Sequence, residues 1–80
     1  MRCLWQQIPS TVVSELLARH TTHGVGLDTE HSSWNNETIY NCIQVVKLSG
    51  KSCYVRIAEV NKSLIKICLD ADADGIILSN

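Results

Sequence analysis

Asp28, Glu30 and His31 fall in one short stretch, Leu27-Asp28-Thr29-Glu30-His31, and Arg56 closes another, Tyr54-Val55-Arg56. A carboxylate beside a histidine orients the ring and stabilises its cation, which makes the imidazole a better base. A guanidinium fork binds a carboxylate or an enolate oxygen through paired hydrogen bonds. Such a set can take a proton from carbon and hold the oxyanion that forms. Ordinary loops and helix caps also place polar residues after strands, so residue type alone leaves both readings open. His20 and His23 flank Thr21-Thr22 and read as solvated turn histidines.

A second pattern competes. Asp70-Ala71-Asp72-Ala73-Asp74-Gly75 matches the first half of a calcium loop, with carboxylates at alternate positions and a glycine for the turn. The bidentate glutamate such a loop requires would fall just past Asn80, and no exiting helix is visible. A helix-to-strand turn with exposed acids explains the same residues.

The elements that must position these groups alternate. Cys3-Leu4-Trp5 is a short apolar stretch, and Ile8-Pro9-Ser10 breaks it. Ser10 or Thr11 can cap a helix whose apolar stripe is Val12, Val13, Leu16 and Leu17, with Glu15 and Arg19 opposite. Val25-Gly26-Leu27 fits a buried strand running into Asp28. Ser32 to Asn36 supplies loop and cap, and Ile39, Ile43 and Val46 recur along one helical face. Ser49-Gly50 stops that helix. Cys53 to Ile57 is β-rich. Asn61 can cap a helix with Leu64, Ile65, Cys68 and Leu69 inward and Lys62 and Lys66 outward. Asp74-Gly75 then turns the chain into Ile76-Ile77-Leu78. About four strands alternating with three helices predict an α/β fold with a helix-covered parallel sheet. Periodicity does not decide between part of a (β/α)8 TIM barrel and a small open sheet. In both, function gathers beyond the C-terminal strand ends.

Composition narrows the function classes. The 80 residues are 45% hydrophobic and 19% charged, with net charge -1. That balance gives no electrostatic case for nucleic acid or an anionic membrane surface. No apolar run approaches the roughly 18–20 residues of a membrane span, and the start turns polar too soon for a signal peptide. The expected location is cytoplasmic. Cys3, Cys42, Cys53 and Cys68 have no knuckle spacing and are expected as reduced thiols among apolar neighbours.

The chain resembles the HpcH/HpaI aldolases, class II pyruvate aldolases related to the citrate lyase beta chain. Trp5 resembles the tryptophan ending the family's first strand, and Leu27 to His31 its D-x-E-H motif. Tyr54-Val55-Arg56 resembles its V-R motif. Leu64-Ile65-Lys66 with Leu69-Asp70 and Ala73-Asp74-Gly75-Ile76-Ile77 resembles its L-I-K…L-D-x-G-A-D-G-I segment. The resemblance runs over nearly all the chain. It implies the phosphoenolpyruvate/pyruvate-binding type of barrel and a carbon-carbon lyase cleaving 2-oxo-4-hydroxy acids to pyruvate and an aldehyde. His31 would be the acid/base group and Asp28 its orienting partner. Arg56 would bind the pyruvate oxygens, with Trp5 beside the substrate. Glu30 would support, and Asp70 would reach a neighbouring subunit's site in a homo-oligomer.

The resemblance also implies a divalent metal of the Mg or Mn type, held by a Glu and an Asp on later strands. A complete barrel needs about 250 residues, so residues 1–80 are expected to form one incomplete domain, the N-terminal half, without those ligands and inactive alone. Asp72 stands where the family has glycine, and Leu78-Ser79-Asn80 departs from its V-P. The alternatives are a non-enzymatic calcium-binding segment and a small α/β interaction module that pairs through open sheet edges.

Overall fold

The computed structural model describes residues 3–30 and 33–79. Strands and helices alternate: β1 (Cys3–Gln6), α1 (Thr11–His20), β2 (Gly24–Asp28), α2 (Asn36–Leu48), β3 (Ser52–Ile57), α3 (Lys62–Asp70) and β4 (Gly75–Leu78). The four strands form one parallel sheet in the order β1-β2-β3-β4. This is an α/β fold of four parallel strands and three helices, part of a (β/α) barrel. Among the described residues no helix is long and apolar enough to cross a membrane.

Each helix begins on a side chain that accepts from an otherwise unpaired amide. Ser10, rather than Thr11, caps α1 by accepting from Val13 N. Asn35 accepts from Thr38 N at 2.8 Å and Asn61 from Leu64 N at 3.1 Å. Gly50, at φ +79°, follows α2 in the left-handed conformation that ends helices.

One face of β2 and β3 carries Val25, Leu27, Cys53, Val55 and Ile57, packed against Ala18, Ile39, Cys42, Ile43, Val46 and Cys68. The α2 stripe therefore does what its spacing predicts. The other two helices depart from expectation. On α1 the buried residues are Ser14 and Ala18, whereas Val12 and Leu16 are exposed. On α3 Leu69 faces out, and on β4 Ile77 and Leu78 are exposed. The reason is position: β1 and β4 are the edges of the sheet, and nothing described packs beyond them. Ser14 is buried because its hydroxyl donates to Gln6 Oε1 at 2.7 Å, while Gln6 Nε2 donates to Ile8 O and Ser10 O. That network fixes the β1-to-α1 turn.

All four cysteines are free thiols, Cys42, Cys53 and Cys68 buried and Cys3 partly so. Burial pushes the Cys53 thiol up to about 12 and that of Cys68 to about 11.

Candidate functional site

The face opposite the helices carries the candidate residues. Side chains alternate along a strand, so Gly24, Gly26 and Asp28 share this face with Ser52, Tyr54 and Arg56. The register sets Trp5 beside Gly26 and Tyr54 beside Gly75. A β-carbon on Gly26 would stand 2.5 Å from the Trp5 ring. Only glycine lets that indole lie across β2.

Asp28 and Arg56 end their strands as register partners. Asp28 is fully buried and accepts from Arg56 Nη2 at 2.9 Å through Oδ2. Its Oδ1 accepts from Glu30 N at 3.3 Å. Gln7 Nε2 stands 3.5 Å from Oδ2. The Arg56 guanidinium stacks 4.5 Å above the Trp5 ring, a cation–π contact that also excludes water from its face. Glu30 Oε1 lies 3.7 Å from Arg56 Nε. That nitrogen has no hydrogen-bond partner though it is buried, a condition it shares among the described residues only with Trp34 Nε1.

Thr29 ties the loop to the sheet. Its amide and hydroxyl both donate to Arg56 O, at 3.1 and 2.7 Å. Ser79 Oγ donates to Glu30 Oε1 at 2.6 Å. Residue type did not mark Gln7, Thr29, Ser79 or Gly26 as site residues. Only Thr29, inside the motif, carried a signal.

Trp5, Asp28, Glu30 and Arg56 are therefore brought together at the C-terminal end of the sheet. His31 lies outside the described residues. Asp70 is elsewhere: it ends α3, at the opposite end of the strands, and pairs with Lys66 at 3.0 Å. His20 and His23 are exposed, as their turn positions predict.

The three aspartates of the calcium-loop pattern do not converge. Asp74 accepts from Lys47 Nζ with both oxygens, at 2.9 and 3.0 Å, and from Cys53 N at 2.7 Å. Partial burial raises the Asp74 carboxyl, but the Cys53 amide and the Lys47 ammonium outweigh it and hold the group below its ordinary value. The hydrogen bond to Asp74 raises Lys47 in turn. Asp70 is committed to Lys66. Asp72 sits at φ 70°, the only described non-glycine residue there, at the position where the resemblance expects glycine. Among the described residues no three His, Cys, Asp or Glu side chains meet where a metal ion could sit. These residues do not fit a divalent-metal cage.

A hollow of about 570 Å³ opens on the same face, lined by Cys3, Trp5, Tyr54 and Ile77 with Thr21 and Thr22. Asp28 and Arg56 do not line it. A closed barrel fills this space with side chains from its other strands.

The sequence matches no family profile and no curated protein. Solved structures do match it. The citrate synthase SbnG is 30% identical over 95% of this chain and 31% of its own, with a TM-score of 0.85. Macrophomate synthase is 26% identical over 96% and 27%, with a TM-score of 0.88. An HpcH/HpaI aldolase from Desulfitobacterium hafniense DCB-2 is 23% identical over 92% and 29%, with a TM-score of 0.75. The chain has an HpcH/HpaI-like fold. It spans less than a third of the length of each of these structures.

Proposed function

We propose that this chain supplies the anion-binding and proton-transfer side of a carbon-carbon lyase acting on 2-oxo-4-hydroxy acids. The observation that carries this reading is the state of Arg56. Its guanidinium is fixed by Trp5 and buried Asp28, yet its Nε–H is buried without a partner. An unsatisfied buried donor is costly, and a carboxylate oxygen of pyruvate or another 2-oxo acid satisfies it. Retro-aldol cleavage breaks the bond between the carbon bearing the hydroxyl and the carbon next to the 2-oxo group. The hydroxyl proton leaves to a base, the aldehyde departs, and the electron pair stays as the pyruvate enolate. Arg56 offsets that charge. His31 is proposed as the group that takes the proton and returns it to the enolate carbon, with Asp28 holding its ring. Asp70 is proposed to serve a neighbouring subunit. A divalent metal of the Mg or Mn type would need carboxylates from outside the described residues.

Oxalate, which resembles the enolate in shape and charge, tests the central claim. Titration of the chain with oxalate, followed through the Arg56 Nε–H resonance, is expected to shift that signal, and Arg56→Lys to weaken binding at least tenfold, a loss of about 1.4 kcal/mol. Equal affinity in Arg56→Lys would remove Arg56 from the site.

A second reading draws on the sheet edges. Leu4, Val12 and Leu16 on one flank and Leu69, Ile77 and Leu78 on the other are exposed, and an open strand edge invites pairing. Self-association through these flanks is the proposal. Sedimentation decides it: a monomer at high protein concentration rules it out.

A further inference from the structure

We propose that Ser79 is a positioning residue that keeps the anion-binding edge of Arg56 open by holding Glu30 away from it. The inference rests on the reading of Arg56 as the group that takes a carboxylate. Its basis is a single oxygen shared by two groups. Glu30 Oε1 accepts from Ser79 Oγ at 2.6 Å. The same atom stands 3.7 Å from Arg56 Nε, beyond hydrogen-bond range. Arg56 Nε is buried and has no hydrogen-bond partner.

A carboxylate and a guanidinium this close attract, and a formed pair closes to about 2.8 Å. The gap persists because Oε1 is anchored on its other side. That anchor is rigid: Ser79 N donates to Ile57 O at 3.0 Å, which continues the β3–β4 pairing past the end of β4. The Glu30 backbone is fixed as well, its amide donating to Asp28 Oδ1. Glu30 is thus held between two donors and bonded to the neutral one.

Without the Ser79 hydroxyl, no other hydrogen bond to Oε1 among the described residues opposes closure of Glu30 onto Nε. A ligand carboxylate would then have to displace an internal one. Ser79 therefore sets how strongly Arg56 prefers an external anion over its own neighbour.

The test uses the 80-residue chain with nitrogen-15 in its arginines. Two quantities are read: exchange of the Arg56 Nε–H with water, and oxalate affinity. Ser79→Ala is expected to slow the exchange and weaken oxalate binding about tenfold. Ser79→Thr keeps a hydroxyl and should hold both values near those of the parent. Ser79→Ala combined with Glu30→Gln should recover the affinity, because a neutral amide competes poorly for a guanidinium. Unchanged exchange in Ser79→Ala overturns the proposal, as does unchanged oxalate affinity. Failure of the parent chain to bind oxalate sinks the Arg56 reading instead. The exchange measurement then still decides whether Ser79 holds Glu30 off Nε.

Discussion

Two aspartate–cation pairs sit at opposite ends of the same sheet, and they are built differently. At the N-terminal end, Asp74 takes two bonds from Lys47 and one from the Cys53 amide, so its carboxylate is saturated. At the C-terminal end, Asp28 accepts from Arg56 Nη2 and from the Glu30 amide, and the guanidinium keeps one buried N–H without a hydrogen bond. The saturated pair locks α2, β3 and β4 together. The Arg56 pair leaves one buried N–H without a hydrogen bond, 3.7 Å from Glu30 Oε1. The cations differ, an ammonium at Lys47 and a guanidinium at Arg56, and only the guanidinium keeps a buried N–H without a hydrogen bond, which is what the proposed binding role draws on.

That contrast can be broken by mutation. The largest effect is expected from Asp74→Ala, which strands the Cys53 amide and frees Lys47. It should cost about 2 kcal/mol in denaturant unfolding, most of it from the stranded Cys53 amide, and leave oxalate affinity unchanged in whatever fraction stays folded. A loss of oxalate binding without a loss of stability would invert the assignment. Gly26→Ala forces the Trp5 ring off β2. It should cost about 2 kcal/mol and weaken oxalate binding, because Arg56 loses its platform. Arg56→Lys should do the reverse of Asp74→Ala, with stability held within about 1 kcal/mol and binding lost. Asp72→Gly relieves a left-handed aspartate and should stabilise by about 0.5 kcal/mol without touching binding.

The pH dependence sharpens the same comparison. The Asp74 carboxyl is held low. Its contribution is therefore present above the unfolded value of about 3.9 and lost as pH falls through the lower folded value. The buried thiols work in the other direction. Cys53 and Cys68 stay protonated in the folded chain to about 12 and about 11. The unfolded chain loses those protons from about pH 8.5. Stability from this source is thus complete below that point and declines as pH rises towards the folded values. Thermal unfolding between pH 2 and 11 should show both losses, and a flat alkaline limb would contradict the thiol burial.

Much of the architecture was legible in the chain. The cap at Asn61, the cap stretches at Ser10-Thr11 and at 32–36, the α2 stripe and the stop at Gly50 are local features, and local chemistry specifies them. The stripes on α1 and α3 were legible as helices and misleading as cores. Val12, Leu16 and Leu69 have helical spacing, but which side of a helix is covered depends on its neighbours. The site divides in the same way. The motif stretches named Asp28, Glu30 and Arg56 as candidates. Gln7 and Ser79 were invisible, since each acts through one contact made far along the chain.

By itself, the sequence determined the order of elements, most of their ends, and the candidate residues Asp28, Glu30 and Arg56 that the fold brings together. Spacing and side-chain type act over a few residues and need no partner. Only the tertiary structure decided that Asp74 joins α2, β3 and β4 while Asp28 meets a guanidinium that keeps a buried N–H without a hydrogen bond. Hydrogen-bond completeness is a property of groups distant in the chain, brought together by strand register. Asp28 and Arg56 meet because β2 and β3 pair at that register. Arg56 stacks on Trp5 because Gly26 leaves room for the ring.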